Sequence, residues 1–380
     1  MGEGKALRIE LAEGIDKVGE SHWDGLCPTA NPFVSHRFLR IMEESGSASL
    51  RTGWQPVHLL LQDDEGTVGA APLYVKSHSY GEYVFDWGWA DAYERAGGRY
   101  YPKLQSAVPF SPVPGPRLLT SRHRAELAAG LRQAAEQMPV SSLHVTFCGE
   151  DEAVALAEAG FIHRRGIQFH WHNRGYGDFD DFLDSLKSAK RKMIRRERRE
   201  VAETGLRFEC LAGDRITPGV MREFYPFYLA TVDKRWGQAY LTPEFFTMLG
   251  AQMPQTIVLV AVYSGEQMVA AALNLRDGTT LYGRVWGCLD DYRFLHFETC
   301  YYRAIEFAIA HGIERVEAGA QGPHKLQRGY EPVFTHSAHW IRDPGLRHPV
   351  RRFVESEWAE MDLQIGELRR SLPFRNDEDA

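Results

Sequence analysis

Residues Thr279–Lys325, TTLYGRVWGCLDDYRFLHFETCYYRAIEFAIAHGIERVEAGAQGPHK, decide how the chain is read. TTLYGRVWGC predicts a strand, LDDYRF a loop, LHFETCYYRAIEFAIAHG a helix opening near His296, and RVEAGA a second strand before the glycine-rich turn QGPHKL. A strand, a helix and a parallel partner strand form a compact βαβ unit. The first N–H groups of such a helix have no partner inside it and face anions, which suits the pyrophosphate of a cofactor. His296, Glu298 and Glu317 then lie near the gap between the strands as acid–base candidates.

Working outward, 380 residues are long for a single core, so two domains are expected. Hydrophobic residues make up 44% and charged residues 25%, the balance of a globular protein, and the net charge of −7 argues against general nucleic-acid binding. Cys27, Cys148, Cys210, Cys288 and Cys300 are scattered without CxxC spacing, which fits free thiols in a reducing compartment and offers no zinc framework. His170 and His172 share a strand face, but no third metal ligand accompanies them, so no metal is expected. The N-terminus lacks an apolar signal core and no apolar run nears the ~18 residues of a membrane span. The expectation is a cytoplasmic protein, with peripheral contact to the inner membrane left open.

The chain repeats its plan. EGTVGAAPLYV (65–75) matches GEQMVAAALNL (265–275), Trp87–Gly88 matches Trp286–Gly287 at the end of a strand, and His170–Trp171 matches His339–Trp340. The spacing between matched pairs shortens toward the end of each half, so the first copy is expected to carry an inserted Pro- and aromatic-rich loop at 97–117. The predicted layout is a domain at 1–175, a domain at 176–345 and a charged helical tail at 346–380, an α/β fold made by tandem duplication. A single long helix is expected from Phe179 to Gly205.

The order of elements in each half resembles the GNAT N-acyltransferase fold, and two joined copies resemble the FemAB-type ligases. NPFVSHRFL, FDWGWADAYERAG, YYPKLQSAVPFSPVPGPRLL, QFHWHN, KRWGQAYLTPEFF, LYGRVWGC, LHFETCYYRAIEFAI and GAQGPHKLQRGYEP together resemble the FemAB-like N-acyltransferases of peptidoglycan biosynthesis/recognition. The resemblance implies paired GNAT-like domains and transfer of an acyl group to an amine. It departs from ordinary GNAT enzymes where Asp291–His296 stands in place of the acyl-CoA loop Gln/Arg-x-x-Gly-x-Gly/Ala. The long coiled-coil arm of several FemAB ligases is also missing.

N-acylation needs a base for the ammonium, donors for the oxyanion and an acid for the leaving group. Glu298, His296 and Glu317 are the catalytic candidates. Strand alternation puts Glu317 on one face with Arg315 and Gly319, and Arg284 on the neighbouring strand is either its ion-pair partner or a substrate ligand. In the resembled fold the thioester lies between splayed strands, which makes the backbone of Val285, Trp286 and Gly287 the oxyanion donors, with Gly283 and Gly287 fitting a bulge. Arg293, Lys325 and Arg328 are candidates for gripping the donor's phosphate or carboxylate. Trp87, Asp91, Asp233, Lys234 and Trp236 are candidates for the acceptor site, with the Tyr100–Arg117 loop as a lid. Cations at residues 187–199 read as a solvated face or as a surface for anionic lipid. No permanently bound cofactor is expected; acyl-CoA is the expected co-substrate and a small-molecule or lipid amine, sphingoid-type included, the expected acceptor. Two alternatives stay open: aminoacyl transfer to a peptidoglycan precursor, and a non-catalytic protein that binds a cell-wall fragment.

Overall fold

A computed structural model describes residues 7–235, 239–320 and 322–375. Its first eight strands are β1 (Arg8–Ala12), β2 (Trp54–Pro56), β3 (His58–Asp63), β4 (Gly66–Ala71), β5 (Tyr74–Lys76), β6 (Lys103–Ser106), β7 (Ser142–Cys148) and β8 (Ile162–His172). The remainder are β9 (Arg207–Ala212), β10 (Ile257–Ser264), β11 (Gln267–Arg276), β12 (Thr280–Cys288), β13 (Arg315–Glu317) and β14 (Glu331–Ile341). The chain divides into two compact units. Unit 1 holds residues up to Gly166 together with Phe334–Asp362; unit 2 holds Ile167–Val333 and the residues from Leu363 on. The division falls within β8 and within β14, whereas the expected cut lay just after β8.

The duplication is visible in the strand order. Unit 2 runs β9-β10-β11-β12-β13-β8, with β12 and β13 parallel and every other neighbouring pair antiparallel. Unit 1 runs β1-β3-β4 and then β5-β6-β7-β14, with β6 and β7 as its parallel pair and β2 added beside β5. β4 and β5 together correspond to the unbroken β11. They are separated by Pro72–Leu73, where proline has no N–H to give a ladder. The last strand of each copy is exchanged: Trp171 of β8 pairs with Val316 of β13, and Trp340 of β14 pairs with Leu143 of β7.

Each sheet has one apolar face against helices. In unit 1 Leu104, Leu143, Val145 and Trp340 pack on Leu127, Ala128 and Leu131 of helix Arg124–Gln137. In unit 2 Trp171, Leu281 and Val316 pack on Tyr302, Ile305 and Ala308. Each such side chain removed from water contributes about 1.5–3 kcal/mol.

Four expectations are corrected. Trp87–Gly88 opens a helix, Trp87–Arg95, rather than closing a strand. The Tyr100–Arg117 stretch, expected as a lid loop, is not an unbroken loop, because it contains β6, whose residues are all buried. KLQS hides as a strand because it opens on Lys103 and carries two further polar residues, and that lysine is tolerated because Glu82 and Asp86 neutralise it. The long helix is broken into Phe179–Asp184 and Ser188–Ala202, since the Lys187 N–H donates to Pro373 O and Leu186 bridges to Phe374. The tail is not a separate element: helix Pro344–Arg370 lends Leu346, Val350 and Val354 to unit 1's core, and Leu368 joins unit 2's.

Gly287 has no room for a side chain, since a Cβ there would lie 1.8 Å from the backbone carbonyl of Phe227 in helix Pro218–Arg235. Gly287→Ala is therefore expected to lower stability by about 2 kcal/mol or more in urea denaturation; an unchanged midpoint would disprove this packing.

Candidate active site

The site begins where two strands part. β12 and β13 pair only over Thr280–Tyr282 against Arg315–Glu317, yet β12 continues to Cys288. Beyond Glu317 the chain stays with β8, as the Ala318 N–H donates to Phe169 O and the Phe169 N–H donates to Gly319 O. A wedge thus opens in unit 2's sheet at Glu317. On its other side Leu273 pairs with Val285 and Asn274 with Gly283, which leaves Arg284 as the extra residue of a β-bulge. Gly283 is needed there because a Cβ would come within 3.1 Å of the Glu317 carbonyl oxygen.

The bulge selects one backbone donor from the three expected. The Trp286 carbonyl accepts from Thr231 Oγ1, so it is turned away from β11. A strand residue's N–H and C=O share a side, and the Trp286 N–H therefore faces the open edge. By alternation Val285 and Gly287 face β11, so neither contributes its N–H to the wedge.

Glu317 is 4% exposed and forms an ion pair with Arg315 Nε at 3.1 Å. Burial pushes its carboxyl up to about 7, with Arg315 and Arg284 opposing the shift and Asp277 adding to it. Its Oε2 has no hydrogen-bond partner among the described residues. His170 stands opposite it on β8 and is held down to about 3 by burial, then by Arg315, so this neighbour stays uncharged. A carboxylate with one open oxygen and an affinity for protons near neutrality is suited to general-base work.

The other candidates are placed differently. Glu298 is buried in the π-helical turn Glu298–Tyr302, accepts from Arg198 Nε and Nη2 at 3.2 and 3.1 Å, and pairs with Arg303 at 2.8 Å. His296 is half-buried among Trp286, Tyr301 and His324. Lys325 and Arg328 are both buried. The Lys325 ammonium donates to the carbonyls of Ala318 and Gly319, and Arg328 pairs with Glu197 while lying 3.6 Å over the Phe297 ring. These two cations thus tie the turn after β13 to the helices. Arg293 is exposed and pairs with Glu200. In unit 1 Trp87 is exposed against Tyr80, and Asp91 pairs with Arg95 on the same helix. Trp236 lies outside the described residues, and of Asp233 and Lys234 only the helical backbone is described. Among the described residues no group of His, Cys, Asp and Glu is placed to hold a metal ion.

Sequence reasoning missed the pairing of Tyr301 OH with His324 Nε2 at 3.0 Å. It also missed Asp277, which accepts from Tyr282 OH at 2.7 Å beside Glu317. Neither pair has a spacing signal; only the fold brings them together.

Because the folded state raises the Glu317 carboxyl from its ordinary 4.5 to about 7, it binds more protons than the unfolded chain between those values. The stability this gives is complete below about pH 4.5 and lost as pH rises through 7. Relative to wild type, Glu317→Gln should gain stability progressively over that window when unfolding is followed at several pH values; parallel curves would contradict the assignment.

Solved structures share this architecture. FemX superposes with a TM-score of 0.54 at 12% identity, covering 88% of this chain and 98% of that one. The C-terminal domain of a protein described as a lysylphosphatidylglycerol synthetase, from Agrobacterium fabrum, superposes at 0.53 with 10% identity, covering 83% and 97%. A conserved protein of unknown function from Bacteroides thetaiotaomicron gives 0.53 and 10%, covering 88% and 100%. At such identities the likeness establishes the fold. No curated protein matches the sequence. The family described as peptidoglycan biosynthesis/recognition matches residues 14–376, nearly the whole chain, and on that match the chain belongs to the FemAB-like family.

Proposed function

We propose that unit 2 transfers an acyl group from an activated carboxyl donor, an acyl thioester such as acyl-CoA, to an amine. The observation that carries this reading is the wedge between β12 and β13 with the proton-seeking Glu317 at its apex. Glu317 takes a proton from the acceptor ammonium. The freed amine attacks the thioester carbonyl, and the Trp286 N–H donates to the developing oxyanion. Collapse breaks the carbon–sulfur bond, and the thiolate leaves with the proton that the attacking nitrogen sheds as the amide forms. Arg315 and Arg284 keep the ionised form of Glu317 accessible despite its burial.

A lipid amine is the acceptor proposed first. Part of the cationic helix surface at 187–199 is free to meet anionic lipid: Arg191, Arg195 and Arg196 are engaged by Asp184, Asp180 and Glu200, whereas Lys187 and Lys192 are exposed. No described helix is long and apolar enough to cross a membrane, so such contact would be peripheral, from the cytoplasmic side. Aminoacyl transfer to a peptidoglycan precursor is the second reading, favoured by the family's description. Comparing lipid and cell-wall amides by mass spectrometry, in cells with and without the protein, separates the two.

In an assay of thiol release from acyl-CoA with amine acceptors, Glu317→Gln should lower kcat by about 10²–10⁴-fold and abolish a pH–rate limb near 7. Glu298→Gln should act through the fold, costing on the order of 2 kcal/mol because Arg198 and Arg303 lose a buried partner and are themselves only partly shielded. Full activity in Glu317→Gln would overturn the base assignment.

A further inference from the structure

The internal repeat marks a second polar face. β7 stands to β14 as β13 stands to β8, so His144, opposite His339, is the counterpart of Glu317, opposite His170. The register of unit 1 sets Trp54, Lys76 and Lys103 in one row, and Tyr74, Gln105, His144 and His339 in the next. All of them are buried. The space beside β7 does not repeat the wedge of unit 2. The chain after β6 fills it with buried Phe110, Ser111 and Val113, and the Gly115 N–H donates to Phe147 O.

What this face lacks is satisfaction. Lys103 Nζ uses all three donors, on Ser79 Oγ at 2.6 Å, Glu82 Oε2 at 2.7 Å and Asp86 Oδ2 at 2.5 Å. The second oxygens of both carboxylates, Glu82 Oε1 and Asp86 Oδ1, have no hydrogen-bond partner among the described residues, nor does the indole N–H of Trp54. Lys76 spends one donor on the Tyr80 carbonyl at 3.2 Å, lies 3.8 Å over the Trp54 ring and stays 3.9 Å from Glu82 Oε1. Leaving a buried polar group unpaired costs about 1–3 kcal/mol, so several such groups on one face call for a partner.

The spare groups state its chemistry. Acceptors sit on two carboxylates, and donors on a lysine and an indole. Two lysines balance two acids, so an occupant with a net charge would leave the buried cluster unbalanced. We propose that this face of unit 1 is a second binding site, for a small zwitterion of the amino-acid class, with Glu82 and Asp86 receiving its ammonium and Lys76 and Trp54 its carboxylate. The non-helical segment Ser77–Asp86 carries both acids. This inference goes beyond the transfer reading and makes no use of Glu317.

Isothermal titration calorimetry of the full chain tests it, with each of the twenty amino acids as probe and ethylamine, acetate and glycerol as controls. At least one amino acid should bind saturably with one site per chain, while the controls stay silent. Glu82→Gln and Lys76→Met should each weaken that binding tenfold or more, and Glu317→Gln should leave it unchanged. The wild-type titration alone is decisive should either variant fail to fold. The proposal is overturned if no amino acid binds, if ethylamine, acetate or glycerol binds as well, if Glu317→Gln abolishes binding, or if a crystal grown with the bound probe shows only water among these groups.

Discussion

Three residue pairs hold β12 to β13, and the candidate site exists because the ladder ends there. A parallel pair continued past Glu317 would occupy the backbone groups of β12 and leave no opening. The separation is enforced from both sides. The bulge at Arg284 bends β12, and the chain after β13 keeps to β8 through Phe169. Lys325 reinforces this by capping the carbonyls of Ala318 and Gly319 from below the turn. The sheet therefore opens through a local change of partners, with its apolar face still packed on the helix behind it.

Buried charge is used in two ways. The Glu197–Arg328 pair, with Tyr302 against both, is complete and serves the fold. Glu317 is incomplete: burial outweighs the two nearby guanidinium groups, and its second oxygen stays open. Equal burial thus yields a strut in one case and an open acceptor in the other, according to whether the hydrogen-bonding capacity is filled.

Much of this was legible in the residues. The alternation of β11 and β12, the βαβ order and the repeat of small residues in EGTVGAAPLYV and GEQMVAAALNL led to the doubled fold. That Glu317 shares a face with Arg315 could be read from strand alternation. β6 could not, because a four-residue strand that opens on Lys103 reads as a loop until Glu82 and Asp86 are seen beside it. Lys325 and Arg328 read as anion grips because their partners, Gly319 and Glu197, are assigned only by tertiary packing. The choice of Trp286 over Val285 and Gly287 depended on Thr231, a residue on a helix with no sequence link to the strand.

The exchange of β8 and β14 bears on how the polypeptide is made. β13 acquires its outer neighbour from a segment that left the ribosome long before it, while β7 must wait for a ribbon made much later. The earlier half therefore remains with an unfinished edge until β14 has been made, and an exposed edge invites mispairing.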